Sequence, residues 1–156
     1  MSDLRNYRLV YPDPEDFTEG YVEVHLTHNS HEAQRNIETA IILAKLGYQV
    51  RLLAVDTAFR TPDAYLIKEQ IYVEFKHNQT PTAGAINNEI RDAQGQANYV
   101  LIHIQSTIRR NDLISAIKNR MRDAQKVKEL WLIWKGELIR LKRKEIFDGT
   151  IARKIQ

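Results

Sequence analysis

The residues best suited to do chemistry in this chain are a Pro-Asp pair and a Glu-x-Lys. Asp63 follows Pro62, ten residues intervene, and Glu74-Phe75-Lys76 comes next. Two carboxylates brought close together repel each other and bind hard cations that prefer oxygen, Mg2+ or Mn2+. Side chains alternate along a strand, so Glu74 and Lys76 point to one face and Val73 and Phe75 to the other. Such a set suits the hydrolysis of a phosphodiester. That reaction needs a nucleophilic water, a cation against the charge growing at phosphorus, and help for the leaving group. Glu74 would ligate the metal and Asp63 would supply the second carboxylate. The Lys76 ammonium would orient the attacking water or stabilise the transition state. Each half also has an ordinary reading: Pro-Asp is common in turns, and Glu-x-Lys is common as a solvated cross-strand pair. The two halves together, in the right order, are more specific than either alone.

The surrounding elements must put those residues in place. Tyr21 to Leu26 alternates apolar and polar residues and reads as a strand, after a short strand candidate over residues 6–10 broken by Pro12 and Pro14. Residues 31–46 read as a helix, with Ser30 as N-cap, Ile37, Ala40, Ile41 and Ala44 on the inward stripe, and Gly47 as the stop. Tyr48 to Val55 is a strand leading to Asp56. Ala64 to Ile67 and Ile71 to Lys76 form an antiparallel hairpin around the turn Lys68 to Gln70. A helix follows over Ala85 to Gln94, with Ile86 and Ile90 inward. The near-continuous apolar runs Tyr99 to Ile104 and Leu130 to Trp134 read as buried strands. A helix over Asp112 to Lys126 lies between them, and Glu137 to Leu141 is a last strand. Residues 142–156 read as a weakly structured basic tail. Helices interspersed with buried strands give an α/β fold with a mixed central sheet flanked by helices. The chain of 156 residues fits one domain: an N-terminal extension over 1–30 with a strand or hairpin, a core over 31–141, and the tail.

Composition excludes several classes. There is no cysteine, hence no disulfide and no thiolate metal site. No apolar run approaches the roughly 18–20 residues that span a bilayer, and the first residues lack the pattern of a signal peptide. A cytoplasmic protein without a membrane partner is the expectation. The net charge of +3 hides an asymmetry: residues 1–106 hold 9 Lys and Arg against 14 Asp and Glu, and residues 107–156 hold 14 against 6. A basic part beside a carboxylate-bearing part suits a polyanion that reaches a metal site. Arg109, Arg110, Lys118, Arg120, Arg122, Lys126 and Lys128, with the cluster Lys142 to Lys144, could contact phosphates; solvated helix and strand faces are the plain alternative. His25, His28 and His31 fall close together, but a strand end, a turn and a helix start do not put them on one face for zinc. His77 reads as a loop residue beside Lys76, His103 as a core histidine, and Trp131 and Trp134 as core packing.

The order of elements and the Asp63, Glu74, Lys76 set resemble the PD-(D/E)xK nuclease superfamily, whose shared core is α-β-β-β-α-β, as in restriction endonucleases. Over residues 31–141 the chain is similar to the C-terminal tRNase domains of contact-dependent growth-inhibition toxins. The matching residues are Glu38-x-Ala40 through Leu43-Ala44 to Gly47, Val50 to Leu53, Thr61-Pro62-Asp63, Val73 to Lys76, Gln96-Ala97-Asn98 and Trp131 to Gly136. The resemblance implies a metal-dependent endonuclease using Mg2+ or Mn2+, with tRNA or DNA as substrate. A cognate immunity protein and delivery into a target cell's cytoplasm would go with a toxin. The first helix would add a carboxylate, Glu38 by position or Glu32 as its rival. Gln96 would contact substrate or orient a site residue, or else cap a loop. The competing expectation is an inactive nucleic-acid-binding module on the same scaffold.

Overall fold

The computed structural model describes residues 6–12, 19–28, 31–55 and 61–156. Ser30, Asp56 and Pro14 lie outside the described residues. Contacts gather the chain into two compact units, Met1–Val73 and Glu74–Gln156. Both are α/β with mixed strand pairing, which is the expected fold class.

In the first unit, β1 (Tyr7–Tyr11) pairs antiparallel with β2 (Tyr21–His25), and β2 pairs parallel with β3 (Gln49–Leu52). A parallel pair needs a crossover, and α1 (Ala33–Lys45) provides it, lying against both strands. Gly47 stops the helix with φ +101°, donating its N–H to Ala44 O at 2.9 Å, while Tyr48 N–H reaches Leu43 O at 3.2 Å. β3 pairs antiparallel with β4 (Ala64–Leu66), and β4 with the start of β5 (Ile71–Asn78), Ala64 opposite Val73. The core of this unit is Val22, Val24, Ala40, Leu43, Ala44, Val50, Leu52, Ala64, Leu66 and Val73.

The inward stripe of α1 differs from the expected one. Its buried residues are Asn36, Thr39, Ala40, Leu43 and Ala44, while Ile37 and Ile41 are half-buried. The helix is therefore turned so that a polar residue, Asn36, begins the buried face. A pattern reading that equates buried with apolar cannot see that.

In the second unit, β5 continues to Asn78, and Thr82 caps α2 (Ala83–Ala93) by accepting from Ala85 N–H at 3.2 Å. β6 (Tyr99–Ile104) and β7 (Glu129–Trp134) are parallel, joined by α3 (Arg110–Asp123), and β8 (Glu137–Lys142) closes antiparallel on β7. Ile86, Ile90, Leu113, Ile117 and Met121 of the helices meet Val100, Ile102, Leu130 and Leu132 of the strands in one apolar cluster. Trp131 and Trp134 are buried, as expected of core residues. The expectation of a weakly structured tail is corrected. Residues after β8 form α4 (Arg143–Phe147) and α5 (Thr150–Lys154), and Ile146, Ile151 and Ile155 are fully buried in the same cluster. Two short helices show no periodic stripe, so three isolated isoleucines were the only trace of them.

Candidate active site

Strand β5 carries the most concentrated chemistry of the second unit. Its alternation puts Glu74, Lys76 and Asn78 on one face. Glu74 is almost fully buried, at 3% exposure, and its Oε2 lies 3.5 Å from Lys76 Nζ. A buried carboxylate is costly unless a cation or hydrogen bonds compensate it, and Lys76 is the cation beside it. Two residues on, the fully buried Asn78 amide donates to both carboxylate oxygens of Glu89 on α2, at 3.3 and 3.1 Å, and to Thr80 O at 3.1 Å. Ser106 Oγ donates in turn to Asn78 Oδ1 at 2.5 Å. Burial pushes the Glu89 carboxyl above the usual carboxylate range, against the opposing pull of Asn78 and of the Lys76 charge. Lys76 thus has two carboxylates in its surroundings, Glu74 on its own strand and Glu89 from the helix.

Asp63 belongs to the first unit. It immediately precedes Ala64, the first residue of β4. Its backbone O accepts from Leu53 N–H at 2.9 Å, and its Oδ1 lies 3.5 Å from Asn36 Nδ2 on α1. Asn36 Nδ2 also meets His28 Nε2 at 2.9 Å, and His28 Nδ1 meets Leu53 O at 2.6 Å.

The other expected residues are placed as follows. Glu38 is exposed and accepts from Gln34 Nε2 at 3.2 Å. Successive helix positions turn by about 100°, so residues two apart face roughly opposite ways. With Asn36 buried towards Asp63, Glu38 points away from it. Glu32, one turn before Asn36, is exposed at the N-cap. Gln96 is half-buried just past α2, with its backbone N–H on Ala93 O at 2.9 Å. His103 is half-buried rather than core, its ring 6.2 Å from that of His77. Among the described residues no group of three or more His, Cys, Asp or Glu could hold a metal.

Asn78, Glu89 and Ser106 escaped the sequence reading, as did Asn36 and the polar role of His28. The period-two pattern that joins Glu74 to Lys76 also reaches Asn78, and this signal was present. Nothing local marks Glu89, because its role depends on how α2 lies beside β5.

The family described as contact-dependent growth inhibition CdiA C-terminal domain matches residues 60–139. No curated protein matches the chain. Among solved structures, a chain of the CdiA-CT/CdiI toxin and immunity complex from Burkholderia pseudomallei is similar, with a TM-score of 0.54 and 17% identity. The match covers 85% of this chain and 94% of that one. At that identity the likeness is one of fold. The family match takes in just over half of the residues, including Asp63, Glu74, Lys76, Asn78, Glu89 and Ser106, and on it the chain belongs to the CdiA C-terminal domain family of contact-dependent growth inhibition.

Proposed function

We propose that this chain is a metal-dependent nuclease of the PD-(D/E)xK type that acts as a toxin domain. The observation that carries the reading is the buried Glu74 carboxylate with Lys76 Nζ 3.5 Å away on the same strand face. A solvated cross-strand pair would leave both groups in water. Asp63 is proposed as the second carboxylate, from the Pro62-Asp63 pair that precedes the Glu74-Phe75-Lys76 run in the sequence. A donor set of two carboxylates fits Mg2+ or Mn2+, which commonly take one or two carboxylates and complete their shell with water and substrate phosphate. A divalent cation held there supplies charge neutralisation at the phosphate and a more acidic water. Lys76 meets the charge that develops on the non-bridging oxygens, and Glu74 keeps its ammonium in place.

The substrate class is nucleic acid, tRNA or DNA. The similar fold from Burkholderia pseudomallei comes from a toxin and immunity complex. A cognate immunity protein is therefore the proposed partner, and the cytoplasm of a target cell the proposed place of action. Gln96 stays in the proposal as a substrate contact past α2, whereas Glu38, exposed and facing away from Asp63, is not proposed to share a metal with it.

The test is incubation of the purified chain with tRNA, other RNA and DNA in Mg2+, Mn2+ or EDTA. Cleavage is expected with metal and not with EDTA. Lys76→Met should lower the rate about a hundred- to a thousand-fold, the usual cost of one transition-state charge partner. Glu74→Gln should remove metal-dependent cleavage with the circular dichroism spectrum retained. Undiminished cleavage by either folded variant sinks the reading. The basic C-terminal third supports a second reading, an inactive nucleic-acid-binding module, which predicts salt-dependent binding with no turnover under any metal.

A further inference from the structure

The hydrogen bonds around Asp63 close on themselves. Leu53 N–H donates to Asp63 O at 2.9 Å, and Leu53 O faces His28 Nδ1 at 2.6 Å. His28 Nε2 faces Asn36 Nδ2 at 2.9 Å, and the same amide reaches Asp63 Oδ1 at 3.5 Å. The circuit starts at the Asp63 backbone and ends at its carboxylate. Its polarity follows from the partners. Leu53 O can only accept, so Nδ1 of His28 carries the proton. The amide nitrogen of Asn36 can only donate, so Nε2 accepts. That fixes the neutral tautomer of His28, the direction of the Asn36 amide, and the side of Asp63 that receives an N–H. Asn36 is fully buried and His28 is 7% exposed, so water has little access to loosen the circuit.

We propose that Asn36 and His28 are positioning residues that hold the Asp63 carboxylate in its working direction. Helix α1 then serves the proposed site through an amide at position 36. The inference rests on the nuclease reading for its consequence, metal binding, but not for the circuit itself. Partners that orient a metal-binding side chain typically change affinity about 10–100-fold when removed.

The experiment has two arms. In the first, Mn2+ affinity is measured by titration calorimetry. Asn36→Ala and His28→Ala should each weaken binding about 10–100-fold, and His28→Gln, which keeps one donor and one acceptor, should recover most of the loss. In an Asp63→Ala background, Asn36→Ala should cost nothing more. Wild-type affinity in folded Asn36→Ala, or an undiminished loss in the Asp63→Ala background, overturns the proposal. The second arm uses no metal. The carboxyl carbon resonance of Asp63 should move in Asn36→Ala and His28→Ala and stay near its wild-type position in His28→Gln. If it does not move in Asn36→Ala, the proposal is overturned whatever the metal does. If it moves while the wild-type protein binds no Mn2+, the circuit stands and the metal-dependent reading falls.

Discussion

Glu89 is the residue at which burial and charge can be read separately. Desolvation raises its carboxyl above the ordinary value of 4.5, and the Asn78 amide and Lys76 charge oppose the rise. A carboxyl whose folded value is raised binds its proton more tightly in the folded state. Its contribution to stability is present below about pH 4.5 and is lost as pH climbs through the raised value. Glu89→Gln removes that dependence while keeping an oxygen for Asn78. Urea denaturation of both proteins from pH 4 to 7.5 should show the variant gaining on wild type as pH rises. A difference that is flat, or that falls with pH, contradicts the environment described. Glu89 also marks the limit of what was legible at this scale. Glu74 and Lys76 were readable because alternation along one strand fixes their common face with no help from the rest of the chain. Glu89 and Asn36 act through neighbours brought in by helices, and their residue types carry no local signal.

At the scale of elements, α1 is held close to the start of β2. Gly20 opens that strand, and a Cβ there would stand 1.8 Å from Ala44 O, a backbone atom that cannot swing away. Tyr21 N–H donates to Tyr48 O at 3.2 Å just beside it. The close approach lets α1 lie on β2 and β3 with Asn36 turned inwards. Gly20→Ala should therefore destabilise the chain by about 1–3 kcal/mol, the usual range for overpacking, with α1 displaced. The denaturation midpoint of the variant reads this directly, and a wild-type midpoint would mean that the backbone yields without cost. The crossover itself was legible, since an alternating strand, a helical stripe, a stopping glycine and a second strand stand in order. The rotation of the helix was not. The expected stripe was Ile37, Ala40, Ile41 and Ala44; Ala40 and Ala44 are buried, but Asn36, Thr39 and Leu43 join them in place of the two isoleucines. The buried face is the less apolar of the two, and its Asn36 amide meets His28 and Asp63.

Over the whole chain, the excess of basic residues beyond position 106 divides into two kinds. Some serve the fold. Arg143 donates to Ala124 O at 2.9 Å and Val127 O at 3.0 Å, and also to Met121 O, so it caps the end of α3. Arg110 does the same for Ile155 O and Ala152 O, and Arg120 donates to Asn87 Oδ1 at 2.6 Å. Arg140 lies over the Trp131 ring at 4.3 Å and bonds Glu129. Charge counting could not tell these from the others, because a guanidinium on a carbonyl and one in water look alike in sequence. Arg109, Arg122, Lys126, Lys128, Lys142 and Lys144 are exposed and free to meet phosphates, and Arg122, Lys126 and Lys128 gather at and just beyond the end of α3. Neutralising all three to Gln should leave the melting temperature in place and weaken tRNA binding measured in EDTA. The slope of log affinity against log salt should shrink in magnitude by about 0.7–0.9 for each phosphate that is no longer neutralised. Arg143→Gln should do the reverse, lowering the melting temperature because three part-buried carbonyls are deprived of their charged donor. An unchanged slope in the triple variant would place nucleic-acid binding away from the end of α3.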